Sequence, residues 1–476
     1  MPAWWRDAKL GIFVHWTPAS VAAFAPTDDE IGALVAAGRP DALGWSPYAE
    51  WYENSLRFPE SPAARHHREH YGDRPYRDFA ADWERGLETW DPESWAAAFA
   101  ATGARYVVMV TKHHDGYCLW PSDVPNPHAP ELRSKRDVVG ELATAVRAVG
   151  LRFGVYYSGG LDWTFNDHPI GAMTDLLAAQ PRGDYPAYAE AQVRELIERY
   201  QPSVLWNDIS WPDTVGALAR VLDHYYRVVP DGVINDRFMP WSPLWAVAAT
   251  TPVRKTLNAV LSKASANEGG IVPPKPPLFD VRTPEYTVFP DVQPTPWECV
   301  RGMDKSFGHN EASDPEHFLA HDDLLWTVCD IASKNGNLLL NVGPRGRDAQ
   351  IAPAQLDRLQ WLAEFCGPGT AASVALRGSR PWIVPAAETD SLELRFTARD
   401  ESVFVFARHR AGTPTTQVVV VHDIAATPTT SVHAVDGTAL PFEIAPDGSL
   451  SITMPAILDA TVPAVVECRN VVAAKR

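Results

Sequence analysis

A chain of 476 residues, 46% hydrophobic and 21% charged, has the composition of a soluble globular protein and the length for one large domain plus a smaller one. Its formal charge of −17 excludes a phosphate-binding surface, because affinity for nucleic acid comes from cationic side chains, and no apolar run approaches the roughly 18 residues of a membrane span. Five scattered cysteines without a C-x-x-C pair, and an amino terminus lacking a basic start followed by an apolar run, give the expectation of a cytoplasmic protein.

Gly11–Trp16 reads as a first buried strand closed by His15, and a loop containing Tyr48–Asn54 follows it. Asp91, with Pro92 behind it, caps a helix that stops near Gly103. Tyr106–Val110 is the next strand, left through Thr111-Lys112-His113-His114-Asp115-Gly116. Asp137 caps a helix ending at Gly150, and Leu151–Tyr157 is a strand leading to Ser158–Trp163. After a helix over Ala187–Tyr200, the strand Ser203–Trp211 carries Asp208 between two tryptophans. Val233–Arg237 and Asn337–Gly343 are later strands, and a helix covers Ala354–Phe365.

This alternation, with polar residues after many strands and no glycine-rich phosphate fingerprint, predicts a (β/α)8-like barrel over residues 1–366 rather than an open sheet. An insertion at 241–278 would begin with an amphipathic helix from Thr251 to about Ser265 and continue into the stiff Val272–Pro277. It is placed to overhang the pocket, to join copies in a homo-oligomer, or to sit as a surface elaboration. Gly367-Pro368-Gly369-Thr370 is a linker. Beyond it, residues 367–476 alternate apolar and polar, as in Leu392–Thr397, Ser402–Phe406, Thr416–His422 and Ser449–Met454, with a turn at Pro446-Asp447-Gly448. This predicts a carboxy-terminal antiparallel β-sandwich of structural or ancillary role.

An aromatic-walled carboxylate at a strand's carboxyl end suits a glycosidase; the competing role for Asp208 is capping the next helix. Of the 18 tryptophans, Trp16, Trp51, Trp120, Trp163, Trp206 and Trp211 fall where they would make a stacking surface. His15, His113 and His114 invite a metal site, but His15 has no partner two residues on, and adjacent histidines leaving a strand point to opposite sides.

Several motifs occur in one order. They are Lys9–Trp16, Glu50-Trp51-Tyr52, Thr111–Ser122, Phe153–Ser158, Leu205–Asp208, Trp297-Glu298, Ser306–Asn310 and Leu338–Pro344. Together they resemble glycoside hydrolase family 29, the α-L-fucosidases. The resemblance implies an exo-acting retaining enzyme on fucosylated oligosaccharides or glycoconjugates, working without cofactor or metal, with Asp208 as nucleophile. It places the acid/base soon after the Asn235-Asp236-Arg237 strand, yet Trp241–Thr251 contains no Asp or Glu. Glu285, beyond the insertion, takes the role, with Glu268, Glu298 and Glu50 as competitors. It also implies that His15, His113 and His114 bond sugar hydroxyls, that Glu50, Trp51, Tyr156, Trp206 and Arg237 line the sugar subsite, and that Phe307 packs on the C6 methyl. Tyr157 competes with Tyr156. The rival functions are a metal-dependent barrel hydrolase and a non-catalytic fucose-binding homologue.

Overall fold

Five consecutive buried residues, Leu10–Val14, form β1, and six further strands join it in one parallel sheet. These are β2 (Tyr106–Lys112), β3 (Arg152–Ser158), β4 (Val204–Asp208), β5 (Val233–Ile234), β8 (Trp297–Arg301) and β9 (Gly336–Val342). The order is β5-β4-β3-β2-β1-β9-β8, with every pairing parallel. Side chains on both faces are buried, which is why these strands are unbroken apolar runs rather than alternating ones. The computed structural model describes residues 1–243, 251–267, 270–409, 417–434, 436–446, 449–454 and 461–473.

Residues 281–285 close the gap between β5 and β8. Parallel bridges join Asn235 to Val281, Arg282 to Trp297 and Glu285 to Val300, so this segment stands as the eighth stave of a curled barrel. Between β5 and that stave, a helix spans Thr251–Ser265, and the two-residue strands β6 (Ala266–Asn267) and β7 (Gly270–Ile271) pair antiparallel. Ile271 then pairs antiparallel with Glu285.

Helices cover the barrel as the sequence dictates. Asp91 accepts from the Glu93 and Ser94 amides at the head of Pro92–Ala101, and Asp137 accepts from Gly140 N at the head of Val138–Ala148. Thr214, not Asp208, caps the helix Val215–Val228. That helix buries Leu218, Val221, Leu222 and Tyr225 on one face, at the spacing of a helix lying on a sheet.

Beyond the barrel lie β10 (Arg380–Glu388), β11 (Leu392–Arg399), β12 (Ser402–His409), β13 (Gln417–Val421), β14 (Ile424–Ala434), β15 (Phe442–Ile444), β16 (Leu450–Met454) and β17 (Ala464–Ala473). They form two antiparallel sheets, β10-β11-β12-β17-β14 and β13-β16-β15, around Leu392, Leu394, Phe396, Val405, Val419 and Ile452. Thr416 and the Asp447-Gly448 half of the expected turn lie outside the described residues.

Two expectations need correction. The strand expected over Val233–Arg237 ends at Ile234, because the Asn235 side chain takes over the pairing: it accepts from Asn207 N at 3.0 Å and donates to Asn207 O at 2.7 Å. Nor do six tryptophans share one surface. Trp16 packs among Trp83, Trp90 and Trp95, while Trp120 and Trp211 are core residues. Only Trp51 and Trp206 of the six line the cavity described next.

Candidate active site

Asp208 is the last residue of β4, and its carboxylate opens into a cavity at the carboxyl end of the barrel strands. Tyr156, from the neighbouring β3, donates its hydroxyl to Oδ2 at 2.7 Å, and the Ile209 amide donates to Oδ1 at 2.8 Å. The register sets Tyr156 beside Trp206 and leaves Tyr157 on the opposite face, where its hydroxyl donates to Gln192 Oε1 at 3.0 Å. Tyr156 therefore faces the cavity and Tyr157 does not.

Arg237 ties two carboxylates together. Its Nη1 lies 3.0 Å from Asp208 Oδ1 and 2.6 Å from Glu285 Oε1, which caps the separation of those oxygens at about 5.6 Å, close to the roughly 5–5.5 Å of retaining glycosidases. The guanidinium is held on three other sides. Nε donates to Thr283 Oγ1 at 3.2 Å, Nη2 donates to Thr283 O at 3.1 Å, and Cζ lies 4.7 Å from the Trp206 ring centre. Burial opposes its charge, but Glu285, Asp208 and Asp236 outweigh burial and raise its pKa. Tyr48 donates to Glu285 Oε2 at 3.2 Å.

Burial keeps the histidines neutral, and hydrogen bonding assigns the tautomers of His15 and His114. Asn341 Nδ2 donates to Phe307 O, so Asn341 Oδ1 must accept, and His15 Nδ1–H donates to it at 2.6 Å. His15 Nε2 is left as an acceptor. Burial pushes the His15 pKa down to about 4. Ser158 Oγ donates to Leu161 O and so accepts from His114 Nδ1 at 2.6 Å, which leaves His114 Nε2 an acceptor 3.7 Å from Asp208 Oδ2. Burial lowers the pKa of His113 and His114 well below the usual value, with neighbouring His114 adding to the effect on His113 and Lys112 to that on His114. Among the described residues His113 Nδ1 and His114 Nε2 have no hydrogen-bond partner, an unusual state for buried polar atoms and one that a ligand hydroxyl would relieve.

The expectation that His113 and His114 diverge fails. The strand ends at Lys112 after a register shift between Val110 and Lys112, alternation stops, and the two rings lie 4.0 Å apart. Among the described residues no group of three or more His, Cys, Asp or Glu side chains is arranged as a metal cluster.

Glu50 accepts from Gly308 N at 2.7 Å, and burial lifts its pKa to about 8. Glu298 accepts from the Tyr106 hydroxyl and from Trp206 Nε1, behind the cavity wall rather than in it. Glu268 lies outside the described residues. Trp51 packs edge-on against His114, and Phe307 lies 5.0 Å from the His15 ring. The cavity thus brings together His15, Glu50, Trp51, His113, Tyr156, Trp206, Asp208, Arg237, Glu285 and Phe307, with His114 against Asp208. Sequence reasoning missed Tyr48 and Asn341 as partners of these groups. Tyr48 stands two residues before Glu50, and Asn341 lies within a motif already singled out. Neither residue type advertises the role.

The family model described as Alpha-L-fucosidase matches residues 1–367. The solved structure of Thermotoga maritima alpha-fucosidase with a mechanism-based inhibitor is similar with a TM-score of 0.79 and 36% identity, covering 98% of this chain and 96% of that one. The tissue alpha-L-fucosidase of Homo sapiens is 26% identical over 98% of this chain and 87% of its own length. The plasma alpha-L-fucosidase of Pongo abelii is 29% identical over 77% of this chain and 68% of its own. These relatives overturn the expectation of a cytoplasmic setting, since a plasma enzyme is not a cytoplasmic one. The cysteine argument behind it was unsound: Cys118, Cys299, Cys329, Cys366 and Cys468 are all buried, so they report packing rather than redox surroundings. Among the described residues no helix is long and apolar enough to cross a membrane. With its family model matched across the barrel and into the linker, the chain belongs to the alpha-L-fucosidases of glycoside hydrolase family 29 and is a glycoside hydrolase acting on fucosylated glycans.

Proposed function

We propose that this enzyme removes terminal α-L-fucosyl residues with net retention, by two successive displacements at the anomeric carbon. In the first, an Asp208 oxygen attacks C1, the bond from C1 to the leaving oxygen breaks, and Glu285 delivers a proton to that oxygen. In the second, Glu285 takes a proton from water as the water oxygen attacks C1 and releases Asp208. The observation that carries this reading is the single Arg237 Nη1 shared by both carboxylates, because it brings them to one place in the cavity, near enough for one to attack while the other protonates.

The surrounding groups support it. The Tyr156 hydroxyl and the Ile209 amide orient Asp208 toward the cavity. Acceptor nitrogens on His15 and His114, together with Glu50, suit a sugar ring's hydroxyls, and Phe307 offers an apolar face for the C6 methyl. Catalysis on this reading belongs to residues 1–366, with the inserted segment 241–278 contributing wall.

The test is a pair of variants. Asp208→Gly should lose turnover of an aryl α-L-fucoside by at least about a thousandfold, and azide should restore it with a product of inverted configuration. Glu285→Ala should lose far more activity on disaccharides than on activated aryl fucosides. Substantial residual activity in Asp208→Gly without azide, or equal losses on both substrates for Glu285→Ala, would refute the assignments. Fucose release by the unmodified protein separates this reading from that of a fucose-binding homologue.

A further inference from the structure

Outside the cavity, three histidines stand on one short helix, Pro62–Tyr71, which reads Pro-Ala-Ala-Arg-His-His-Arg-Glu-His-Tyr. Ser61 caps it by accepting from Ala64 N at 3.0 Å. His66 and His70 are four residues apart and so share a face of the helix, His66 half-buried and His70 exposed. His67, one residue on, is turned into the core.

The ring protons can be followed outward from the core. Arg74 O can only accept, so His67 Nε2–H donates to it at 2.7 Å, and His67 Nδ1 is left an acceptor. The buried Tyr52 hydroxyl gives its proton to His67 Nδ1 at 3.2 Å. The Tyr52 oxygen then accepts from His66 Nδ1–H at 3.1 Å. His70 Nδ1–H donates to His66 O at 3.0 Å. Each of the two neutral rings therefore keeps its lone pair on Nε2, and among the described residues neither Nε2 has a hydrogen-bond partner.

The two rings are also held in place. They stack with centres 4.3 Å apart and planes 24° apart, and Phe24 stacks on His66 at 4.0 Å and 4°. Two imidazole lone pairs one helical turn apart, with each ring's other nitrogen donating to an oxygen, match the state of metal-binding histidines, where that second bond fixes tautomer and orientation. The charge of the Glu69 carboxylate, beside His70 in the chain, also acts on His66 and favours a cation there. We propose that His66 Nε2 and His70 Nε2 together bind one late first-row divalent ion, such as Zn2+ or Ni2+, which imidazole suits. Among the described residues no third His, Cys, Asp or Glu completes a cluster, so water fills the remaining positions and the ion exchanges freely. The site takes no part in the displacement at Asp208. Its reach is mechanical: Tyr52 directly follows Glu50 and Trp51, so an ion on His66 braces the helix and Tyr52 behind the cavity wall.

The experiment titrates the full chain with Zn2+, Ni2+ and Mg2+ by calorimetry. Zn2+ and Ni2+ should bind, and Mg2+, which demands oxygen ligands, should not. His66→Gln and His70→Gln place a good helix former at each position. Each should weaken Zn2+ binding by at least about tenfold and, with no metal added, leave kcat/KM on an aryl α-L-fucoside at the parent value. Thermal unfolding gives a second readout. With free Zn2+ at about a hundred times Kd, the parent's folding constant should rise about a hundredfold and its Tm with it, and the variants' Tm should move far less at the same concentration. Nitrogen-15 spectra should show the Nε2 resonances of His66 and His70 unprotonated, and Zn2+ should shift both. Zn2+ bound equally well by the variants would place the ion elsewhere, and no binding by the parent would leave the rings as an aromatic stack only. Either result overturns the proposal.

Discussion

At Glu50 a carboxyl group is buried and held by the Gly308 amide and the Ser306 hydroxyl, and its folded pKa is raised to about 8 chiefly by burial, against the Gly308 N–H bond and with the charge of Glu285. A raised folded pKa means that the folded chain keeps its proton where the unfolded chain has lost it. The associated stability is fully present below the unfolded pKa of about 4.5 and is lost as pH rises through about 8. Glu50→Gln removes that loss while keeping an acceptor for Gly308. Thermal unfolding should show it stabilised at pH 8 by on the order of 3 kcal/mol relative to its effect at pH 4.5, and a pH-independent difference would contradict the assignment. A second contrast tests Tyr156. Tyr156→Phe removes the donor to Asp208 and should lower kcat/KM about tenfold to a hundredfold, whereas Tyr157→Phe loses only the bond to Gln192 and should leave turnover intact. Which of the two tyrosines faces the cavity was not legible in the sequence, because adjacent strand residues alternate and the parity is set by register with β4. The carboxylates were legible, since each stands in a distinctive local pattern. Their supports, Tyr48 and Asn341, were not, because a single tyrosine or asparagine in a loop or strand carries no signal of its partner.

Strands β1 to β4 are readable as elements because burial on both faces leaves continuous apolar runs. The stave at 281–285 is not readable. Val281-Arg282-Thr283-Pro284-Glu285 has charges and a proline where a buried strand should be apolar, and it is held by isolated bridges rather than a ladder. The inserted segment changes meaning in this light. Its returning limb pairs with Glu285 on one side while Val300 pairs on the other, so the proposed proton donor is clamped between residues 270–271 and a barrel strand. Gly270 is the tight point: a Cβ there would lie 1.9 Å from Glu285 O. Gly270→Ala must therefore push the Glu285 backbone aside. A displacement of about 1 Å can cost on the order of a hundredfold in rate. The expected pattern is a large loss on substrates with poor leaving groups and a small one on activated aryl fucosides, measured as kcat/KM across a leaving-group series. A uniform loss would show that the clamp does not position Glu285 as the proposed acid.

Across the whole molecule, the sandwich is fused to the barrel rather than tethered to it. Phe404 and Phe406 of β12 and Val465 of β17 belong to the barrel's own apolar cluster. The helix His321–Ser333 lies between the two parts. Its Trp326 ring has the guanidinium groups of Arg395 and Arg408 each 5.0 Å from its centre, and Arg395 also pairs with Asp330. That helix leads into β9, which pairs with β1 inside the sheet, so loosening the sandwich loosens the strand that carries Asn341 and the strand that runs into His15. None of this reaches Asp208 or Glu285 by contact. It acts through the shared core. Phe406→Ala, at a fully buried position, should cost about 3–5 kcal/mol by transfer and cavity terms together. Because the cluster is continuous, the loss should appear as one cooperative transition: fucosidase activity and far-ultraviolet dichroism should disappear at the same lowered temperature. Activity that outlasted unfolding of the sandwich sheets in this variant would make the two parts thermodynamically separate. The kcat at temperatures where the variant is still folded should match the parent, since no atom of the cavity lining belongs to the sandwich among the described residues.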